Sequence, residues 1–101
     1  MENLKYLADK LILLSELAGC ADDEFKKAAV FSALQQVKTY FFEKKSEISS
    51  VDFSDLIKAI CYINCAVGYE ETSGHDRSQY VQWAKISSRK FMDSLVSKYE
   101  L

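Results

Sequence analysis

Three cysteines and one histidine are the side chains of this sequence whose types suit a metal ion. Cys20, Cys61, Cys65 and His75 could together supply four zinc ligands if the fold brought them together. Cys61 and Cys65 are four apart on a predicted helix, but the remaining intervals match no compact zinc motif. Small apolar cysteines also commonly pack in helical cores. We therefore expect these thiols to be packing residues, and we predict no metal and no other cofactor.

The same region offers little for catalysis. His75 precedes Asp76 in a polar turn, and a histidine beside a carboxylate can act as a base. The spacing fixes no serine or cysteine nucleophile near this histidine, and Thr72 stands where a di-iron bundle would need a glutamate. No phosphate-binding glycine loop, nucleophile elbow or zinc-protease helix motif is present. These observations predict a protein that is not an enzyme.

The composition indicates one helical domain over residues 1–101. The chain has no proline and only three glycines, so few positions force the backbone to break. Its apolar content of 49% and charged content of 28% are ordinary for a globular domain of this length. The net charge of −2 gives no general attraction to nucleic acid or to anionic lipid.

Several features favour a reducing, aqueous location. The number of cysteines is odd, and Cys61 and Cys65 are placed too far apart across one helical turn for a relaxed disulfide. Asp9 and Lys10 interrupt the apolar part of the first segment, so it does not resemble an export signal. The longest uncharged run, from Ala59 to Tyr69, is too short to cross a bilayer. We predict a cytoplasmic protein that does not enter a membrane.

The elements that must position these side chains are four helices, predicted at about 3–18, 22–45, 52–71 and 77–99. Short polar connections between them favour an antiparallel four-helix bundle. Gly19 is expected to end the first helix in a left-handed conformation, and Asp22 to cap the second. The third is expected to start at Ser50 or Asp52, and the last at Asp76 or Ser78.

Apolar residues at helical spacing predict the core. The inward stripes are Leu4, Leu7, Leu11, Leu14, Leu17 and Ala18; Phe25, Val30, Leu34, Val37 and Phe41; Phe53, Leu56, Ile57, Ile60, Ile63 and Val67; and Tyr80, Ala84, Phe91, Leu95 and Tyr99. Phe31, Tyr40 and Phe42 broaden the second stripe. Asn64 lies close to the third stripe, where its amide needs a hydrogen-bond partner. The third helix should be the most buried.

More of the helix surface is apolar than four helices of this size are expected to hide among themselves. Tyr6 and Leu13 lie off the first stripe, which indicates either a broad core face or a second contact surface. We predict a small protein–protein interaction module of the adaptor, chaperone, immunity or inhibitor type. It binds another protein, or itself through the third or the first helix, with a homodimer as the simplest assembly. The predicted partner-binding residues are Tyr6, Leu13, Tyr62, Tyr69, Trp83, Lys85 and Arg89.

A second hypothesis is a nucleic-acid or small-ligand binder. The predicted last helix carries a basic strip with two aromatic neighbours on which a base could stack. This strip consists of Arg77, Lys85, Arg89 and Lys90, and the aromatic neighbours are Tyr80 and Trp83. Acidic residues elsewhere keep the domain near neutral, so a solvated helix face or a contact with an acidic protein is the favoured interpretation.

Overall fold

A computed structural model describes residues 2–70 and 74–99 of the chain as a bundle of four α-helices. The helices are α1 (Glu2–Cys20), α2 (Glu24–Glu43), α3 (Ser50–Ala66) and α4 (Arg77–Tyr99), and a short 3-10 helix (Lys45–Glu47) joins α2 to α3. The described residues form no β-strand. The predicted all-α bundle is confirmed.

Contacts at the helix ends show that consecutive helices run antiparallel. Phe31, in the first half of α2, stacks on Tyr69 just beyond the end of α3, with 4.2 Å between ring centroids. Asp52, near the start of α3, accepts a hydrogen bond from Lys98 at the end of α4. α4 packs extensively against both α1 and α3, whereas α2 lies mainly on α1 and touches α3 much less. One side of the bundle is therefore less closely packed than the others.

The close approach of α1 to α4 depends on Gly19. A Cβ atom at this position would lie 3.2 Å from Cγ1 of Val81, closer than side chains normally pack. Gly19 is inside the helix, which continues to Cys20, so the prediction that it ends α1 in a left-handed conformation was wrong. The glycine supplies space between two helices instead of backbone freedom.

Most of the predicted core residues are buried. They are Leu4, Leu7, Leu11, Leu14 and Ala18 of α1; Val30, Leu34, Val37 and Phe41 of α2; Leu56, Ile60, Ile63 and Val67 in and after α3; and Tyr80, Ala84, Phe91 and Leu95 of α4. Half of the residues of α3 are buried, among them Asp52, Asp55 and Asn64. The side chain of Tyr99 lies outside the described residues.

Three residues of the predicted inward stripes are exposed instead, and so are Tyr40 and Phe42, which were expected to broaden the stripe of α2. Leu17, Phe25 and Ile57 have exposed fractions of 43%, 84% and 38%. In α1, the inward positions beside Leu17 are taken by Ser15 and Ala18, which are both fully buried. Ser15 compensates for its burial by donating from Oγ to the carbonyl oxygen of Ile12 at 2.6 Å.

The cap of α2 is displaced by one residue, whereas α3 begins at Ser50, which is one of its two predicted starts. Asp23, not Asp22, caps α2, because its Oδ1 accepts from the backbone N–H of Lys26 at 2.7 Å. Ser49 caps α3, because its Oγ accepts from the N–H of Asp52 at 3.2 Å. For α4, Oδ1 of Asp76 accepts from the backbone N–H of Gln79 at 3.1 Å. Asp76 is one of the two predicted starts of this helix.

The third helix is shorter than the predicted span of 52–71. It ends at Ala66, where the N–H of Gly68 donates to the carbonyl oxygen of Cys65, and the N–H of Tyr69 to that of Asn64. This pair of bonds is a Schellman motif, which needs a left-handed residue, and Gly68 has φ of 84°. Position 71 itself lies outside the described residues. The second helix also ends early, at Glu43, because the chain continues as the 3-10 helix.

No helix in the described part of the chain combines the length and apolar character that crossing a bilayer requires.

Candidate functional site

An open apolar groove of about 580 Å³ lies between α1 and α2. Its lining residues are Tyr6, Leu7, Lys10, Leu13, Leu14, Leu17, Ala33, Gln36, Val37, Tyr40 and Lys44. Leu7, Leu14 and Val37 are core residues that form its floor. We call this feature the α1–α2 groove.

Four large side chains of the α1–α2 groove are exposed to solvent. The exposed fractions are 60% for Tyr6, 46% for Leu13, 43% for Leu17 and 56% for Tyr40. Tyr6, Lys10, Leu13 and Leu17 follow the 4, 3 and 4 spacing of one helix face. The first helix therefore carries two stripes, of which one enters the core and the other edges the groove.

The groove carries positive charge in a chain whose net charge is negative. Lys10 and Lys44 line it, and no described acidic residue does. The Nζ atom of Lys10 lies 5.6 Å from the ring centroid of Tyr6, a cation–π distance. Lys44 is within 3.7 Å of Glu47, which belongs to the following 3-10 helix. The edge of the groove is thus suited to acidic groups of a partner, above all at Lys10, because Glu47 already balances part of the charge of Lys44.

Tyr62 and Trp83 belong to a separate aromatic cluster at the junction of α3 and α4. Their ring centroids are 5.5 Å apart, and Tyr80 and His75 complete the cluster, with His75 edge-on to Trp83 at 4.8 Å. Tyr62 and Trp83 are each half-buried, and both pack on the core. A large part of each of these two predicted partner-binding side chains is therefore used in packing within the chain. Tyr69 is 44% exposed, with one face covered by its stacking partner.

The basic strip of α4 is tied into the fold. Arg89 lies 3.6 Å from the carboxylate of Glu16, and Lys90 lies 3.6 Å from that of Asp55. Arg77 donates to two backbone carbonyl oxygens at and after the end of α1. Because these cations have partners inside the chain, the strip offers less free positive charge than its sequence indicates.

Lys85, the remaining cation of the strip, lies beside a smaller groove of about 500 Å³ between α1 and α4. The lining residues of this groove are Glu16, Gly19, Cys20, Arg77, Ser78, Val81, Gln82 and Lys85. They are mainly polar, and they include charges of both signs. The arrangement therefore favours neither a polyanion nor an apolar partner.

Two of the four candidate zinc ligands come together with a residue that the sequence did not indicate. The Sγ atoms of Cys61 and Cys65 and a carboxylate oxygen of Glu70 lie within 4.8 Å of one another. Cys61 Sγ donates to Glu70 Oε2 at 3.0 Å. Cys20 and His75 are not part of this group. Glu70 was missed because only the Schellman turn at the end of α3 returns it to that helix.

Both clustered thiols are held in their protonated form. Burial, with a smaller contribution from the neighbouring Glu70 carboxylate, raises the pKa of Cys61 to about 12. Burial also raises the pKa of Cys65. Because the thiolate is the reactive form of cysteine, neither side chain is activated as a nucleophile in this arrangement.

The structure thus divides the predicted partner-binding residues into two groups. Tyr6 and Leu13 lie in the α1–α2 groove, whereas Tyr62, Tyr69, Trp83, Lys85 and Arg89 lie elsewhere. Leu17 and Tyr40 also line the groove. The spacing of Leu17 from Tyr6, Lys10 and Leu13 is the signal in the sequence that could have identified it.

Comparison of this chain with protein-family models, with curated proteins and with solved structures finds no match. The geometry of these sites is therefore the basis for any functional conclusion.

Proposed function

We propose that this protein is a small, non-enzymatic interaction module whose α1–α2 groove binds an acidic amphipathic helix of another protein. The observation that carries the proposal is the set of four exposed apolar side chains around one groove: Tyr6, Leu13, Leu17 and Tyr40. Exposed apolar side chains that are gathered around one groove fit a docking site better than exposed apolar residues scattered singly over a surface do.

The shape of the groove supports a helical occupant. It runs between two antiparallel helices, and its apolar edge extends from Tyr6 to Leu17, which corresponds to about 16 Å of helix. A partner helix of about three turns would cover that length and present anchors at the usual spacing of three and four residues. This mode of binding buries apolar side chains and leaves the polar face of the partner in water.

Charge complementarity supports an acidic occupant. Lys10 and Lys44 stand at the groove, and a partner with acidic residues beside its apolar stripe would meet both. A second copy of this chain would bring the same two lysines to the interface, so self-association through the groove is electrostatically less favourable.

Fluorescence anisotropy with designed peptides tests the proposal. One peptide carries leucines along one helical face with glutamates on both sides, and its matched control carries lysines in place of the glutamates. We expect the acidic peptide to bind at least about fivefold more tightly than the basic one. The glutamates of the acidic peptide are attracted by Lys10 and Lys44, whereas the lysines of the basic peptide are repelled by them. Raising the salt concentration should reduce this difference.

Two variants assign the binding to the groove. Leu13→Asp should weaken the acidic peptide about tenfold or more, because an anchor contact is lost and a like charge is added. Ile86→Asp is the matched control, since Ile86 is 58% exposed on α4 and does not line the groove. Circular dichroism checks that both variants keep their helices.

Equal binding of both peptides, or equal loss in the two variants, would overturn the proposal. A dimer in sedimentation equilibrium that Leu13→Asp dissociates would assign the groove to a second copy and would also overturn it. Salt-dependent binding of nucleic acid that Lys85→Glu with Arg89→Glu abolishes would favour the basic strip instead.

A further inference from the structure

We propose that Cys61, Cys65 and Glu70 form a zinc-binding site with two thiolate ligands, one carboxylate ligand and an open fourth position. This site is separate from the proposed docking function, and neither depends on the other. Its candidate ligand atoms, two sulfurs and an oxygen, already lie within 4.8 Å of one another.

The ligand types point to zinc. Thiolate, imidazole and carboxylate groups are the protein ligands of Zn²⁺, with Zn–S distances of about 2.3 Å and Zn–O distances of about 2.0–2.2 Å. Soft sulfur ligands disfavour magnesium and calcium, which prefer oxygen. Three protein ligands leave a tetrahedral zinc ion with a place for water or for a group of a bound partner.

The backbone at the end of α3 positions the third ligand. Cys61 and Cys65 project from successive turns of α3, and the Schellman motif then reverses the chain at Gly68. This reversal brings Glu70 back to the helix, where its Oε2 accepts from Cys61 Sγ at 3.0 Å. A carboxylate held in place by a defined turn loses less freedom on metal binding than one on a flexible loop.

Asn64 supports the same carboxylate from the helix. Its Nδ2 donates to Glu70 Oε1 at 3.5 Å, so the two oxygens of Glu70 face different donors. Asn64 is 4% exposed, and its Oδ1 has no hydrogen-bond partner among the described residues. An orienting residue of this kind is typical of metal sites, and the amide oxygen remains able to accept from a metal-bound water.

Metal binding must displace the proton of each thiol. The Zn²⁺ ion replaces the two S–H protons, both sulfurs become thiolate ligands, and two protons pass to the solvent. The Glu70 carboxylate, which accepts from Cys61 in the metal-free chain, then binds the metal through an oxygen. Apart from the two S–H bonds, only bonds between the aqueous Zn²⁺ ion and its water ligands are broken, and no oxidant or reductant is needed.

The test is a titration of the reduced, metal-free full chain with Zn²⁺ in competition with a chromophoric chelator. We expect about one equivalent to bind. Replacement of Zn²⁺ by Co²⁺ should add thiolate-to-cobalt charge-transfer absorption, which reports sulfur ligands directly. Glu70→Gln should weaken binding by about tenfold or more. Cys61→Ser should remove most of the charge-transfer signal.

Cys20→Ser is the matched control, because Cys20 is exposed at the end of α1 and outside the cluster. It should bind Zn²⁺ as the unmodified chain does. Glu70 is exposed, so its substitution tests the site without a large effect on folding, which circular dichroism verifies. The proposal is overturned if the chain takes up no stoichiometric Zn²⁺, if Cys61→Ser and Glu70→Gln bind as tightly as the unmodified chain, or if Cys20→Ser loses the metal.

Discussion

At the residue scale, Asp52 joins α3 to α4 through hydrogen bonds to its buried carboxylate. Its Oδ1 accepts from Ser94 Oγ at 2.6 Å and its Oδ2 from Lys98 Nζ at 3.0 Å. Burial by itself would raise the pKa of Asp52, but the hydrogen bonds from Ser94, Lys98 and Ser49 outweigh burial and hold that pKa below 3.8. The charged form of Asp52 therefore stabilises the fold.

We expect Asp52→Asn to lower the free energy of unfolding by roughly 1–3 kcal/mol at neutral pH, because a buried network loses its charged acceptor. A carboxylate with a depressed pKa stabilises the folded state fully above its unfolded-state pKa of 3.8. The contribution is lost as the pH falls through the folded-state pKa. Urea unfolding of both proteins across this range should therefore show their difference shrinking below pH 3.8.

Asp93→Asn is the control for this prediction, since Asp93 is an exposed residue of α4. It should change the free energy of unfolding by less than about 0.5 kcal/mol. A difference between Asp52→Asn and the unmodified chain that is constant from neutral to acidic pH would contradict the role of the Asp52 charge.

The position of Asp52 also marks a limit of prediction from sequence at this scale. An aspartate ahead of an apolar run is typical of a helix start, and that local pattern indicated Asp52 as one of two starts of α3 without indicating its partners. Its actual partners on α4 are more than 40 positions away in the chain. Glu70 was missed for a similar reason, because its approach to Cys61 depends on the turn at Gly68.

At the element scale, α2 is held in the bundle by one apolar stripe. Phe41 of that stripe is 1% exposed and meets Phe91 of α4 edge-on, with 5.4 Å between ring centroids. Phe25, at the other end of the helix, is 84% exposed. Phe25 and Phe41 therefore differ widely in burial although both belong to α2.

We expect Phe41→Ala to lower the free energy of unfolding by about 3–5 kcal/mol, because it removes buried apolar surface and leaves a cavity against Phe91. Phe25→Ala, the matched control, should change it by less than about 0.5 kcal/mol. Chemical denaturation followed by circular dichroism measures both values. Similar losses for the two variants would show that the assigned faces of α2 are wrong.

Periodicity predicts the centre of a helix face better than its edges. Val30, Leu34, Val37 and Phe41 lie along the middle of the inward face of α2, and all four are buried as predicted. Leu17, Phe25 and Ile57 lie at an edge or an end of a stripe, where burial depends on the position of the neighbouring helix. That position is a tertiary property, which the spacing of apolar residues within one segment does not contain.

At the scale of the whole molecule, the prediction that four helices do not hide all of their apolar surface is confirmed. The exposed large apolar side chains among the described residues are Tyr6, Leu13, Leu17, Phe25, Tyr40, Phe42, Val51, Ile57, Tyr69, Ile86 and Val96. Those of the α1–α2 groove are gathered around one concave feature. The uncharged run from Ala59 to Tyr69, in contrast, is largely buried within the chain.

The groove itself could be predicted only in part. Tyr6 and Leu13 were indicated because they lie off the inward stripe of α1, whereas Tyr40 was expected to broaden the core stripe of α2. The difference arises because α2 packs mainly on α1 and only slightly on α3, which leaves one flank of α2 uncovered. This asymmetry of packing is decided by the whole set of helices, and no single segment encodes it.

The most direct test of the docking account is a two-dimensional amide NMR titration of the ¹⁵N-labelled chain with the acidic amphipathic peptide. The account predicts that the largest shift changes fall on residues 6–17 and 33–44, on the two sides of the groove, while the amides of α3 change little. Changes concentrated in α3 and α4, or no change at peptide concentrations that saturate the anisotropy signal, would contradict it.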